Sequence, residues 1–235
     1  MPDSTASRLM AGRHLPAVVL FVLIVVATLG LDLWFKAWAF RNVADQPILL
    51  DRDAEDGTTL VQTLDGAGKL VTHPRAREHE PASAIPFHEG KVVVPNILAL
   101  RLTINTGAVF GLGKGKQWVF VVVSVFAVII ISLVFFRSDA RSKWFHITLA
   151  LILGGALGNM YDRAMYNGVR DMCLLFPGVK LPFGWHWPGF VGGSDEVYPW
   201  IFNIADAALV VGVISLFFIS WHSDRQKQAD SKATG

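Results

Sequence analysis

Four long apolar runs constrain this chain more than any other feature of its sequence. They lie at about Leu15–Phe35, Trp118–Phe136, Trp144–Tyr161 and Trp200–Trp221. Each approaches the roughly 17–25 residues that cross a bilayer as a helix. Composition points the same way, with 52% of the 235 residues hydrophobic, 17% charged, and a mean hydropathy of +0.43, above what a soluble core requires. The expected architecture is an integral membrane protein, mainly α, with four transmembrane helices and a small extracytoplasmic β-sheet insert.

Basic residues near span ends set the expected orientation, because cytoplasmic loops carry the excess of Lys and Arg. Arg8 and Arg13 precede the first span; Arg137, Arg141 and Lys143 crowd the second-to-third link; Arg225, Lys227 and Lys232 follow the fourth. Both termini, residues 1–14 and 222–235, are therefore expected as cytoplasmic tails flanking a membrane domain at 15–221. Trp118, Trp144, Trp200 and Trp221 fall at span ends, as an aromatic belt requires. The first span reads as a retained anchor, since its apolar core is too long for a signal-peptide h-region and no A-x-A site follows it.

Between about 41 and 104 the composition turns mixed and water-facing. Thr58–Leu64 and Lys69–His73 flank Asp65-Gly66-Ala67-Gly68, a glycine turn between β-branched runs that predicts a hairpin. Phe87–Val94 and Ile97–Ile104, separated by Pro95 and Asn96, predict two further strands. Together they suggest a small antiparallel sheet on the outer membrane face, a removable module that shapes substrate access. The Gly-, Pro- and Trp-rich connector at 174–199 is expected across the outer interface.

Other classes fall away. A net charge of +2 without a basic run argues against a nucleic-acid partner. Cys173 is the sole cysteine, which excludes an internal disulfide and a multi-cysteine metal site, and an inert buried thiol is expected. His73, His79 and His88 match no helical metal-ligand spacing and are expected as solvated loop residues, while His146, His186 and His222 sit near span ends. The glycines after Asn105 lack the spacing of a phosphate loop.

Charged groups at membrane depth cost about 2.5–3.5 kcal/mol each on insertion scales and usually mark a site. Asn159 and Arg163 are four apart on one helix, and Asn203 and Asp206 three apart on another. Asp32 and Lys36, also four apart, suit a helix-end ion pair. Gly154, Gly155 and Gly158 allow a close helix approach. Gly168 is expected to end the third helix and bring Asp171 to the level of Asp206. Two such aspartates share a proton and can act as acid and base; equally, Asp206 can bond to Arg163 or Arg170 in a structural role.

The ordered blocks Asp32 with Lys36, N-T-G-A-V-F-G at Asn105–Gly111, G-G-A-L-G-N-M-Y-D-R at Gly154–Arg163, V-x-D at Val169–Asp171 and F-N-I-A-D at Phe202–Asp206 resemble those of the lipoprotein signal peptidases, or signal peptidases II. The resemblance implies an intramembrane aspartic endopeptidase of the bacterial cytoplasmic (inner) membrane, with its active site near the outer face. Its implied substrates are diacylglyceryl-modified prolipoproteins, cut before the lipid-modified cysteine, with membrane phospholipid as its surroundings and neither cofactor nor metal. By the same resemblance Asp171 and Asp206 are catalytic; Asn105, Asn159, Arg163, Asn203, Asp32 and Lys36 line or support the substrate site; and Asp162 is structural.

The chain departs from the usual family pattern at Arg170, Met172 and Ala207, and its insert and connector are long for the family. Arg170 beside Asp171 is expected to influence that acid or a lipid phosphate. Two other classes compete: a proton- or ion-coupled transporter component, for which no internal repeat speaks, and a lipid-modifying enzyme holding Mg²⁺ on Asp162, Asp171 and Asp206.

Overall fold

A computed structural model describes residues 9–53, 59–73, 85–107, 117–189 and 192–233. The hairpin residue Thr58, His79, Gly113, Gly115 and the Ala108–Gly111 part of the asparagine block lie outside them. Among the described residues, four helices are long and apolar enough to cross a membrane: α1 (Leu15–Asn42), α2 (Gln117–Arg137), α3 (Lys143–Tyr166) and α4 (Ile204–Ala233). Seven strands among the described residues form two antiparallel sheets. The first is β1 (Leu49–Arg52), β2 (Thr59–Leu64) and β3 (Leu70–Thr72) in that order; the second is β4 (Lys91–Val94), β5 (Leu98–Asn105), β6 (Val169–Leu175) and β7 (Ile201–Phe202).

These elements group into two compact units. One consists of Met1–Leu31, Ser124–Gly158 and Ile204–Gly235. It is a helical bundle, and its apolar core is Phe21, Phe135, Leu149, Ala150 and Leu153 with their neighbours. Phe21 stacks on Phe135 with ring centroids 3.9 Å apart, and His146, which is buried, hydrogen-bonds through Nε2 with the Ser138 hydroxyl at 2.8 Å. Small residues bring the helices close: a Cβ on Gly154 would lie 2.7 Å from Thr28 Cβ of α1, and one on Gly155 only 2.5 Å from the Ala205 carbonyl oxygen of α4. The apolar stretch of α3 is 56% buried and that of α2 only 6%. Outward-facing Val22, Leu23, Phe126, Ile130 and Phe217 thus form surface that suits lipid and would be costly in water.

The other unit consists of Asp32–Val123 and Asn159–Asn203. It holds both sheets, and its core joins Ala39 and Phe40 of α1 to Val61 of β2, Leu100, Leu102 and Ile104 of β5, and Met172 and Cys173 of β6. The Cys173 thiol is buried in that core and joins no disulfide.

Several local expectations need adjustment. The first part of the insert forms one sheet, while its strands predicted on either side of Pro95-Asn96 join a second sheet with β6, a strand not foreseen. Asn96, at φ 57°, makes that tight turn. The insert packs into the unit's core through Val61 of its β2, which is 1% exposed. Helix α3 ends at Tyr166, and Asn167 at φ 49° makes the reversal assigned to Gly168. What Gly168 supplies is room, since a Cβ there would meet Ile104 Cγ2 at 2.5 Å. Trp200–Phe202 lead through β7 into α4, which starts at Ile204 and runs past Trp221. His88 is buried rather than solvated, accepting the Leu102 N–H at Nε2 (2.9 Å) with Nδ1 3.1 Å from the Pro86 carbonyl.

Candidate active site

Of the polar side chains singled out by the sequence, Asp32, Lys36, Asn159, Asp162, Asp171 and Asn203 gather where α1 and α3 meet β6 in the sheet-bearing unit. Asp32 and Lys36, one helical turn apart on α1, are paired at 2.8 Å and fully buried. A long ammonium stem with three donors can serve several acceptors. Lys36 Nζ also lies 3.2 Å from Asp162 Oδ2 and donates to Asn159 Oδ1 at 3.3 Å, both on α3.

Asp162 is gripped a second time by Arg170 of β6, whose Nη2 and Nε donate to Oδ1 at 2.7 and 3.2 Å, while the Arg170 backbone N–H donates to Oδ2 at 3.0 Å. The guanidinium also lies over the Tyr166 ring, 4.7 Å from its centroid. Two carboxylates and two cations thus form one buried network. Each charge in a low-dielectric site needs such partners, because an uncompensated one costs several kcal/mol. Arg170, expected to act on Asp171 or a phosphate, is engaged by Asp162, whose two oxygens face Arg170 and Lys36.

Asp171 has a different environment. It sits on β6 opposite Thr103 of β5, 1% exposed, and its Oδ1 accepts a 2.6 Å hydrogen bond from Asn203 Nδ2. The same amide nitrogen donates to Asn159 Oδ1 at 3.1 Å, so Lys36, Asn159, Asn203 and Asp171 form a continuous hydrogen-bonded line. An amide in this position orients the carboxyl group without adding a charge. Asn203 is the last residue before α4, and Asp206 occupies that helix's first turn, in the other compact unit. A helix N-terminus favours a carboxylate.

The remaining candidates have other contacts. Arg163 lies over the Phe120 ring at 5.0 Å. Asn105, at the end of β5 opposite Val169, turns its side chain to the Gly107 N–H at 3.0 Å. Spacing within one helix suggested Asn159 with Arg163 and Asn203 with Asp206; the bonds that matter for Asp171 run between elements. Arg170 was the partner missed for Asp162, and its only sequence signal was a base eight residues beyond an intramembrane acid.

Residues 57–222, which carry both the Asp171 and the Asp206 blocks, match the family model described as signal peptidase (SPase) II. The chain belongs to the signal peptidase II family. Its similarity to curated lipoprotein signal peptidases is 38% identity over 125 residues with that of Latilactobacillus sakei, spanning 53% of this chain and 70% of that one. With that of Pseudomonas putida it is 31% over 161 residues, spanning 67% and 80%. Among solved structures, a bacterial membrane enzyme determined by the in meso method at 2.3 Å resolution superposes with a TM-score of 0.55 at 20% identity, covering 88% of this chain and 90% of that one. At that identity the likeness speaks for the fold alone: the signal peptidase II chain is a multi-pass membrane protein with a shared architecture. Neither the transporter nor the Mg²⁺-enzyme alternative gains support from these relatives.

Proposed function

We propose that this chain is a lipoprotein signal peptidase that removes the signal peptide from diacylglyceryl-modified prolipoproteins, with Asp171 and Asp206 as its catalytic pair. The observation that carries the reading is the family match across both aspartate blocks, and the burial of Asp171 on an amide-held strand position supports it. The aspartate that is ionised takes a proton from water as that water attacks the scissile carbonyl carbon. The protonated partner gives its proton to the carbonyl oxygen. As the tetrahedral intermediate collapses, the C–N bond breaks, the leaving cysteine-bearing amine takes the proton that the first aspartate accepted from water, and a hydroxyl of the intermediate returns a proton to the second aspartate.

Asn203 and Asn159 hold the Asp171 carboxyl group in one orientation, and Arg163 and Asn105 contact the substrate backbone or lipid headgroup. The basic residues around the α2–α3 link and after α4 support a cytoplasmic placement of both termini, with the site near the outer face of the inner membrane. Purified chain in detergent should cleave a diacylglyceryl prolipoprotein peptide with a chelator present. Cleavage lost to the chelator and restored by Mg²⁺ would overturn the assignment.

A further inference from the structure

The first sheet touches α3 through two hydrogen bonds that the reaction itself does not use. The last four carbonyls of an α-helix have no donor within the helix, and α3 ends just beyond Asn159, Asp162 and Arg163. Arg52, the last residue of β1, donates from Nη1 to the Ala164 carbonyl at 3.1 Å. Thr59, the first residue of β2, donates its hydroxyl to the Tyr166 carbonyl. These two residues are direct partners in the β1–β2 register, so a single cross-strand pair grips two carbonyls of one helical turn. The Arg52 charge also lies at the negative end of the helix dipole.

The grip is anchored at its far side. Val61 of β2 is buried in the unit's core, and the Ile48 N–H just before β1 donates to the Phe40 carbonyl of α1 at 2.8 Å. The helix just before the gripped carbonyls is linked to Asp171 by two routes. Asp162 accepts the backbone N–H of Arg170, the residue next to Asp171. Asn159 accepts from Asn203, whose amide also holds the Asp171 carboxyl group.

We infer that the Arg52–Thr59 pair is a positioning clamp: it fixes the last turn of α3, and through Asn159 and Asp162 it sets the geometry of Asp171. The insert thereby has a role in the rate of cleavage beyond shaping access. This inference rests on the signal peptidase reading for its kinetic consequence, though not for its structural one.

The test uses the full chain in detergent with a diacylglyceryl prolipoprotein peptide. Thr59→Val keeps the shape and removes the donor; Thr59→Ser keeps the donor. Thr59→Val, alone and with Arg52→Ala, should lower kcat by about tenfold, within the range that sub-ångström to 1 Å misplacement produces, while KM changes less than about twofold. Thr59→Ser should retain the parental kcat. Gln62→Val removes a bond to Thr72 within the same sheet and should leave kcat unchanged.

Hydrogen exchange across residues 159–171 should quicken in Thr59→Val and stay at the parental rate in Thr59→Ser, a readout independent of activity. Parental kcat and exchange in Thr59→Val would overturn the clamp. So would an equal loss in Thr59→Ser or Gln62→Val, which would make the effect one of general loosening. Failure of the functional reading looks different: the parent would not cleave the peptide, or Asp171→Asn would still turn it over.

Discussion

Asp162 and Asp171 are both buried aspartates on consecutive elements, yet their surroundings separate their roles. Asp162 neutralises Arg170 and Lys36. Changing it to Asn leaves two buried cations undercompensated, which should destabilise the fold by about 3–5 kcal/mol; thermal denaturation in detergent measures this. Asp171 accepts from the neutral Asn203 amide, a bond that the side-chain oxygen of Asn can also accept. Asp171→Asn should therefore leave the melting temperature near that of the parent while abolishing turnover. Asp206→Asn should lose turnover as well, each by about 10²–10⁴-fold. The double mutant should be scarcely worse than either, because residues that act as a unit are not additive. The parental pH–rate profile should be bell-shaped, because turnover needs one aspartate ionised and the other protonated. A single amide variant retaining more than about a tenth of parental turnover would remove that aspartate from the pair.

At the scale of elements, Gly155 offers a direct probe, since any Cβ there meets the Ala205 carbonyl oxygen at 2.5 Å, one residue before Asp206. Gly155→Ala should push α3 and α4 apart, cost about 1–3 kcal/mol by overpacking, and lower turnover; equal stability and activity in the variant would show that the helices yield without cost. The exposed connector carries a Lys180–Asp195 pair at 2.7 Å. Its hydrogen bond and charge raise Lys180 above the ordinary lysine range and hold Asp195 below the ordinary carboxylate range. The stabilisation is therefore present above about pH 4 and below about pH 10, the unfolded values. It fades as pH falls through the lowered Asp195 pKa or rises through the raised Lys180 pKa. The melting difference between parent and Lys180→Met should be flat between about pH 5 and 9 and shrink with salt.

The helices and both hairpins were legible because their signals are local, a long apolar run in one case and alternation around a turn in the other. Strand β6 was not. It follows a helix within three residues, reads Val-Arg-Asp-Met-Cys-Leu-Leu with two charges, and pairs with β5, which is remote in sequence. For the same reason the identities of Asn159, Asn203, Asp162 and Asp171 could be picked out as costly polar groups, while their partners could not. Spacing along a helix reports neighbours on that helix and is silent about a residue 123 positions away, such as Lys36 from Asn159.

For the whole molecule, the charge bias predicts that a reporter fused after Gly235 will be active only where cytoplasmic folding is required, and one fused within the insert only outside. A periplasmic signal from the C-terminal fusion would invert the proposed topology.

The buried ion network also carries a consequence for how the chain is made. Asp32 and Lys36 leave the ribosome on the same helical turn and can enter lipid as a neutral couple, long before α3 exists. Asp162 meets its arginine only eight residues later. The bond from Lys36 to Asn159 must wait for more than a hundred further residues. In order of synthesis, Asp32 and Asp162 each have a basic partner close by in sequence, before or without the distant contact from Lys36 to Asn159. Reversing the couple, with Asp32→Lys and Lys36→Asp in one chain, should keep the local pairing but set a carboxylate against Asp162, so that membrane insertion is retained while the melting temperature and turnover fall.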